Sequence, residues 1–119
     1  MSDEVRIIDA NTGGEKGQKL ERYDLIPWPF IEQLALVYGK GALKYSEDNW
    51  RKGYSWRLSF GALMRHLTLF WMGEWSDQET GLPHLAHVAW HAATLYTFYE
   101  DDLGTDDRPD VGKYGGQPS

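Results

Sequence analysis

The four histidines of this 119-residue chain fall in two segments whose residue patterns predict helices. His84, His87 and His91 follow one another at spacings of three and four residues, which places them on one stripe of a helix. His66 lies on the preceding predicted helix. Apolar residues flank the stripe, so we expect part of it to point inward. Imidazoles arranged in this way can ligate a metal, act as general bases or bind phosphate. The alternative is a set of core histidines without a chemical role.

An acidic segment joins these two helices and adds carboxylates to the histidines. Glu74, Asp77 and Glu79 fall within six residues of one another, directly before the histidine helix. Carboxylate oxygens are preferred ligands of Mg²⁺, and the spacing of Glu74 and Asp77 would put both on one side of a helical turn. The alternative is an exposed linker whose acidic residues favour the N-terminus of the next helix.

A third segment, residues 39–53, interleaves cations with aromatic rings. It contains four of the twelve Lys and Arg residues, with Tyr45 and Trp50 among them, and Arg57 and Arg65 follow on the next predicted helix. Cations beside rings suit a ligand that has both phosphates and a base. The alternative is a solvated connector with two aromatic anchors. The Gly-x4-Gly-Lys-[Ser/Thr] pattern of a phosphate-binding loop is absent.

Composition disfavours several classes of function. The chain has 12 Lys and Arg against 18 Asp and Glu, a formal net charge of −6, which argues against a broad nucleic-acid-binding surface. It has no cysteine, and therefore no disulfide, no thiol nucleophile and no thiolate zinc site. The apolar runs are shorter than the roughly 18 residues of a membrane span, and the N-terminus lacks the apolar region of a secretory signal. We therefore expect a cytoplasmic protein whose partners include neither nucleic acid nor membranes.

Three predicted helices must position these residues. The first begins at Pro27 or Pro29 and ends at about Tyr38, before two glycines that favour a helix end. The second covers about residues 55–72 and the third about residues 82–100. The residues that recur at helical spacing, and that we expect in the core, are Ile31, Leu34, Ala35 and Tyr38; Phe60, Leu63, His66, Leu67 and Phe70; and Leu85, Val88, Ala89, Ala92, Leu95, Tyr96 and Tyr99.

The predicted fold class is all-α, a small bundle of about three main helices over residues 19–100. An irregular N-terminal arm (residues 1–18) precedes the bundle, with room for one short strand at its apolar residues Val5, Ile7 and Ile8. A flexible acidic and Gly-rich tail (residues 101–119) follows the bundle. Three helices of this length bury a thin core, so we expect a homo-oligomer, a dimer or a tetramer. An oligomer interface would also take up the spare aromatic residues.

Several short motifs occur in a fixed order along the chain. They are Lys19…Arg22-Tyr23-Asp24-Leu25-Ile26-Pro27, Gly41-Ala42-x-Lys44-Tyr45, Asn49-Trp50, Arg65-His66-Leu67 and Gly73-Glu74…Asp77…Glu79-x-Gly81-Leu82-x-His84-Leu85-Ala86-His87. Over roughly residues 17–99 the chain resembles the phage and prophage family described as the dATP/dGTP diphosphohydrolase N-terminal domain. The resemblance implies a helical protein related to the MazG-like pyrophosphohydrolases, which use Mg²⁺ to hydrolyse a nucleoside triphosphate to its monophosphate and pyrophosphate.

One departure from that pattern concerns the metal ligands. MazG-like proteins bind metal through Glu-x-x-Glu on one helix and Glu-x-x-Asp on the next. Here His84-x-x-His87 stands where the second pair would be expected, and the second helix offers Arg65-His66 and no carboxylate. If the bundle is the same, the ligand set has moved to histidines or to the acidic segment.

The resemblance and the residues together give one functional hypothesis, the hydrolysis of dATP or dGTP in phage nucleotide-pool remodelling. The predicted ligands of Mg²⁺ or Mn²⁺ are Glu74, Asp77, His84 and His87. The predicted substrate-binding residues are Lys44, Arg57 and Arg65 for the phosphates, and Tyr45, Asn49 and Trp50 around the base. The predicted general base is His66 or Glu79. The alternatives are a phage protein that sequesters a nucleotide without hydrolysing it, and a purely structural oligomer.

Overall fold

Three long helices form the body of the protein in a computed structural model that describes residues 4–109. Their bounds are α1 Trp28–Tyr45, α2 Trp56–Trp71 and α3 His84–Asp101. The shorter elements are the strands β1 Glu4–Ile8 and β2 Glu15–Lys19 and the 3-10 helices Tyr23–Leu25 and Asn49–Lys52. Helix α3 is the central element, because it packs against both α1 and α2. None of the helices described is both long and apolar enough to cross a lipid bilayer.

The N-terminal arm is a β-hairpin, so the all-α prediction is wrong at this end and the arm is not irregular. Strands β1 and β2 pair antiparallel, with Glu4 opposite Lys19 and Ile8 opposite Glu15. The turn forms because the Asp9 carboxylate accepts hydrogen bonds from two backbone N–H groups of the turn, 2.8 and 2.9 Å away. The protein is therefore mostly helical with a small two-stranded sheet.

Helix α1 continues past the point at which the sequence predicted its end. It passes through Gly39 and Gly41 to Tyr45 and stops at Ser46, whose φ is 103°. Each glycine disfavours a helix by about 1 kcal/mol relative to alanine. Tertiary contacts outweigh this, because Lys40 and Lys44 in the added turns bind the loop that precedes α3. The first half of the predicted basic loop is therefore helical.

The second and third helices lie within two residues of their predicted bounds, but the faces that they bury agree only in part with the predicted apolar stripes. The buried residues of α2 are Trp56, Ser59 and His66, and those of α3 are His84, Ala86, Thr94 and Phe98. By contrast, Phe60 of α2 is 56% exposed and Tyr96 of α3 is 68% exposed, although both were predicted in the core. The histidines face the other helices, and the predicted apolar residues beside them are at most partly buried.

The segment after α3 folds back on the start of α2, so the prediction of a flexible tail does not hold for its first residues. The backbone N–H of Trp56 donates to Thr105 O at 3.0 Å, and its indole N–H donates to Leu103 O at 2.8 Å. Gly104 has φ of 70°, and a Cβ there would lie 2.3 Å from Tyr54 O. Only glycine therefore permits this close backbone approach. Residues 110–119 of the predicted tail lie outside the described residues.

The buried apolar core is small. Within residues 4–109 its members are Val37, Trp56, Leu82, Ala86 and Phe98. Beside it lies a cluster of half-buried rings centred on Trp50, which contacts Tyr38, Trp90 and Phe98 at centroid distances of 6.0 to 6.5 Å. This ring cluster joins α1 to α3, and Tyr38, Trp50 and Trp90 of the cluster form one wall of a cleft between the helices.

Candidate functional site

A cleft of about 950 Å³ lies between α1, the 3-10 helix Asn49–Lys52 and the histidine faces of α2 and α3. Its size is in the range of small-molecule binding sites. The polar side chains that line it include Lys40, Lys44, Asn49, Tyr54, Arg65, His66, Asp77, Glu79, Thr80, His87 and His91. Tyr38, Tyr45, Trp50 and Trp90 add aromatic surface. The cleft thus combines cations, imidazoles, carboxylates and rings in one cavity.

The four histidines come together beside this cleft. The ring of His66 stacks on that of His87 with centroids 4.5 Å apart and an interplanar angle of 8°. Its centroid lies 5.1 Å from that of His84 and 6.1 Å from that of His91. The side chains of His66 and His84 are 5% and 0% exposed, so both rings are removed from bulk water.

A directed chain of hydrogen bonds runs through two of these histidines. Arg65 Nη2 lies 3.4 Å from His66 Nε2, and a guanidinium can only donate, so the proton of His66 belongs on Nδ1. His66 Nδ1 then donates to His84 Nδ1 at 2.8 Å, and His84 Nε2 donates to Glu74 Oε1 at 2.7 Å. The chain leads from a cation to a carboxylate, and it fixes the tautomer of both imidazoles.

Asp77 is the second carboxylate of the cluster, and the loop before α3 holds it in place. Its Oδ2 accepts hydrogen bonds from Thr80 N at 2.9 Å and Thr80 Oγ1 at 3.0 Å. Because that hydroxyl donates to Asp77, it accepts from His87 Nε2, 2.8 Å away. The other oxygen, Oδ1, lies 4.0 Å from His66 Nδ1. The predicted helical turn through Glu74 and Asp77 is absent, because this segment is a non-helical loop, but both carboxylates still contact histidines.

The environment keeps three of the imidazoles neutral at pH 7. Burial lowers the pKa of His66 to about 4, and His87 and the Arg65 charge add to the effect. Burial likewise lowers the pKa of His91 to about 4, and it lowers the pKa of His87. Burial alone would raise the pKa of Asp77, but hydrogen bonds from Thr80 outweigh it and lower this pKa. The cluster therefore presents neutral nitrogen donors beside an ionised carboxylate.

The cations of the cleft differ in how they are engaged. Lys40 Nζ donates to Thr80 O at 2.5 Å, and Lys44 Nζ pairs with Glu79 Oε1 at 3.0 Å. Both lysines thus tie α1 to the loop before α3. Arg65 pairs with no carboxylate among residues 4–109, and its guanidinium faces neutral imidazoles instead. An unpaired guanidinium lining a cleft is suited to an anionic ligand.

The aromatic side chains predicted to contact a base lie in different surroundings. Trp50 belongs to the ring cluster, and the Arg51 guanidinium lies 4.4 Å from its centroid. Most of its surface is therefore occupied by protein. Tyr45 is 62% exposed, and Lys44 Nζ lies 5.1 Å from its ring centroid. Asn49 lines the cleft from the start of the 3-10 helix.

The structure brings most of the predicted site residues into the cleft. Those that line it are Lys44, Tyr45, Asn49, Trp50, Arg65, His66, Asp77, Glu79 and His87. Glu74 and His84 lie behind the lining, connected to it through His66. Arg57 lies elsewhere: it pairs with Asp107 and lines a separate cavity of about 440 Å³. It precedes Arg65 by eight helical residues, about 12 Å along the axis.

Several residues that form contacts at the site were not predicted from the sequence. Ser59 is fully buried, with its hydroxyl 3.0 Å from His91 Nδ1 and 2.6 Å from Tyr54 OH. Lys40 and Thr80 link the cleft walls. The spacing of seven residues between Ser59 and His66 places both on one helical face, and this polar stripe was the available signal.

Comparison with known proteins is consistent with these features. Residues 10–108 match the protein family described as dATP/dGTP diphosphohydrolase, N-terminal. Comparisons with curated proteins and with solved structures gave no match. The family match includes every residue that lines the cleft. Because it spans most of the sequence, the chain belongs to the dATP/dGTP diphosphohydrolase N-terminal family.

Proposed function

We propose that this protein binds a purine deoxynucleoside triphosphate in the cleft and hydrolyses it to the monophosphate and pyrophosphate. The observation that carries the proposal is the guanidinium of Arg65, which has no carboxylate partner among the described residues and lies in a cleft of nucleotide size beside neutral imidazoles and an ionised carboxylate. The family description names dATP and dGTP as substrates of the diphosphohydrolases to which this domain belongs.

The phosphates would lie against the cations of the cleft. Arg65 is free to form two parallel hydrogen bonds to phosphate oxygens. Lys44 would exchange its exposed ion pair with Glu79 for a phosphate, since an exposed pair contributes about 1 kcal/mol or less. Tyr45 and the edge of Trp50 would contact the base, and Asn49 would bind it by hydrogen bonds. Arg57 has no part in this arrangement, because it lies outside the cleft.

Hydrolysis requires a water to attack the α-phosphorus as the bond to the β-phosphate oxygen breaks, with pyrophosphate leaving. Glu79 and His66 are the groups available to take the proton of that water. The Glu79 carboxylate becomes a free acceptor once Lys44 turns to the phosphates. The neutral His66 has a lone pair on Nε2, which Arg65 covers at 3.4 Å until substrate binds.

The donor set does not fit Mg²⁺ as a resident ion. Mg²⁺ requires octahedral oxygen ligands. Of the nearby carboxylates, Glu74 is bound to His84, Glu79 is paired with Lys44 and Asp77 has one oxygen engaged by Thr80. The remaining donors of the cluster are imidazole nitrogens. None of the proposed steps therefore depends on the predicted Mg²⁺.

The engaged carboxylates also favour a second candidate function, binding without hydrolysis. A cleft with cations and rings, but without paired free carboxylates, suits a protein that sequesters a nucleotide. The two functions share the same binding residues and differ only in what happens to the nucleotide.

Product analysis separates the two. We expect incubation with each of the four dNTPs, in the presence of Mg²⁺, Mn²⁺ or Co²⁺, to release pyrophosphate and dGMP or dAMP, as resolved by anion-exchange chromatography. The pyrimidine triphosphates serve as controls and should remain intact. Recovery of intact dGTP and dATP, together with a raised melting temperature on adding either one, would instead establish sequestration. Absence of both effects would contradict nucleotide binding.

We also propose that the protein is a homo-oligomer, a dimer or a tetramer. An apolar stripe on α2 remains exposed, with Phe60, Met64, Leu67 and Trp71 at 56%, 43%, 38% and 84%. These residues recur at helical spacing, so they form one continuous face. A second copy of the chain would cover this face and compensate for the small core.

Light scattering after gel filtration tests this oligomer. We expect a mass that is two or four times 13.7 kDa. Met64→Glu together with Leu67→Glu should shift the mass toward the monomer, because charges would be buried in the interface. Leu43→Glu replaces an apolar side chain that is 90% exposed on α1, outside the stripe, and should leave the mass unchanged. A monomeric native protein would contradict the proposal.

A further inference from the structure

Three buried side chains point their donor atoms at a common position beside the cleft. They are His66, Asp77 and His84, whose relative exposures are 4%, 8% and 0%. One imidazole nitrogen or carboxylate oxygen from each lies within 4.8 Å of the others. Burial of polar side chains costs free energy unless they form hydrogen bonds with one another or bind a shared ion.

The separations between these donor atoms are close to those between the ligand atoms of a metal centre, and small side-chain movements would match them. His66 Nδ1 and His84 Nδ1 are 2.8 Å apart, and Asp77 Oδ1 lies 4.0 Å from His66 Nδ1. Two nitrogens bound at about 2.0–2.1 Å with a tetrahedral angle are separated by about 3.3 Å. The imidazoles would therefore move apart by about half an ångström and the carboxylate would move inward. Side-chain rotation supplies movements of this size.

The surroundings of these donors are those that metal ligands require. His84 directs Nε2 at the Glu74 carboxylate, 2.7 Å away, so its Nδ1 already carries a lone pair that faces His66. Two hydrogen bonds from Thr80 hold Asp77 Oδ2 and leave Oδ1 free to ligate. A carboxylate behind a ligating histidine fixes its orientation and increases its basicity. Both His66 and Asp77 also line the cleft, so a bound ion would have open positions toward a ligand.

We infer that His66 Nδ1, His84 Nδ1 and Asp77 Oδ1 form a binding site for an imidazole-preferring divalent transition metal, such as Zn²⁺ or Co²⁺, rather than for Mg²⁺. Two nitrogens and one carboxylate are a donor set for Zn²⁺, Fe²⁺, Co²⁺ or Ni²⁺. The set differs from the one predicted from the sequence, because it includes His66 and omits His87, whose Nε2 is engaged by Thr80. Glu74 supports His84 instead of ligating.

The metal site has two consequences for the cleft. Binding at Nδ1 moves the proton of His66 to Nε2, which can then no longer accept a hydrogen bond from Arg65. The guanidinium is released toward the cleft, where an anionic ligand would lie. His66 also ceases to be available as a general base, and Glu79 remains for that role.

Titration with Co²⁺ alone tests the site, and the nucleotide chemistry proposed above plays no part in it. The protein is the full chain without a histidine tag, stripped of metal by a chelator. We expect one Co²⁺ per chain, with the visible absorption of a four- or five-coordinate ion that has nitrogen ligands. Zn²⁺ should displace the Co²⁺ stoichiometrically, whereas Mg²⁺ in about 1,000-fold excess should not. If the protein does not bind Co²⁺, or if Mg²⁺ displaces the bound Co²⁺, the inference is wrong.

Variants identify the ligands. His66→Gln and His84→Gln should each weaken Co²⁺ binding about 100-fold or more, and Asp77→Asn about 10-fold or more. His91→Gln is the matched control, since it removes a neighbouring imidazole that is not a ligand. His87→Gln should retain the ion, and an equal loss in this variant would overturn the assigned set. Helical circular dichroism checks that each variant is folded. If a variant does not fold, the Co²⁺ absorption of the wild-type protein still decides whether the site exists.

Discussion

Replacing Arg65 with glutamine should lower kcat/KM for the purine deoxynucleoside triphosphate by about 100-fold or more. Within residues 4–109 the guanidinium has no carboxylate partner, and its described side-chain contact is the hydrogen bond of 3.4 Å to His66. Its charge is therefore available to the phosphates when the nucleotide binds. Arg65→Lys should recover only part of the loss, because an ammonium cannot form the two parallel bonds of a guanidinium.

Arg57→Gln is the informative comparison, since the two arginines lie on the same helix. Arg57 binds Asp107 at the far end of α2, so its loss should lower the melting temperature and leave kcat/KM within about 3-fold of the native value. Arg65→Gln should lower kcat/KM and leave the melting temperature close to that of the native protein. Steady-state kinetics with a continuous pyrophosphate assay, together with thermal melts, measure both quantities. Equal kinetic losses in the two variants would contradict the placement of the phosphates beside Arg65.

Much of the helical framework could be predicted from residue spacing. Helices α2 and α3 lie within two residues of the predicted bounds, because proline and glycine mark their ends clearly. The end of α1 could not be predicted locally. Two glycines argue for a stop after Tyr38, whereas the contacts of Lys40 and Lys44 with the loop before α3 favour continuation. Those contacts join residues about forty positions apart, and no local pattern reports them.

The buried faces were harder to predict than the helices that carry them. Helical periodicity placed Phe60, His66 and Leu67 on the core stripe of α2, but of these three only His66 is buried. Ser59, which the predicted stripe did not include, is buried as well. A face of histidines and serine can be buried because its polar atoms find partners, as Ser59 does with His91 and Tyr54. Periodicity records hydrophobicity and not hydrogen-bond satisfaction. It therefore placed in the core some apolar residues, Phe60 and Leu67 among them, that the structure leaves exposed.

The residues of the site were likewise predictable where local spacing determines them and unpredictable where tertiary contacts do. The spacing of His84, His87 and His91 was sufficient to predict that they share one face of α3. That His66 of α2 packs against this face is a tertiary contact, which spacing does not report. The partners of each imidazole depend instead on the loop before α3, where Glu74 reaches His84 and Thr80 positions Asp77. Arg57 was grouped with Arg65 on residue type alone. The length of helix between them separates the two, as the geometry of α2 requires.

The neutral histidines should make the stability of the metal-free protein strongly dependent on pH. Burial and nearby positive charge lower the pKa of His66 and of His91 to about 4, against about 6.5 in an unfolded chain. Between these values the unfolded state binds more protons than the folded state, so the free energy of unfolding falls as the pH falls. The stabilisation is fully present above about pH 6.5 and is lost progressively toward pH 4, by about 3 kcal/mol for each histidine.

Urea denaturation at fixed protein concentration, with EDTA present, measures this dependence between pH 7.5 and 4.5. We expect a slope that corresponds to about two protons near pH 5 from His66 and His91, with a further contribution from His87, whose pKa burial also lowers. His91→Gln should reduce the slope by about one proton. Carboxylates with lowered pKa values, such as Asp77 and Asp107, contribute mainly below about pH 4, so they do not account for loss in this window. A free energy of unfolding that stays constant from pH 7.5 to 5 would mean that both imidazoles become protonated in the folded protein. In that case the cluster would be open to water, and it would no longer present the neutral nitrogen donors on which a metal site at His66 and His84 depends.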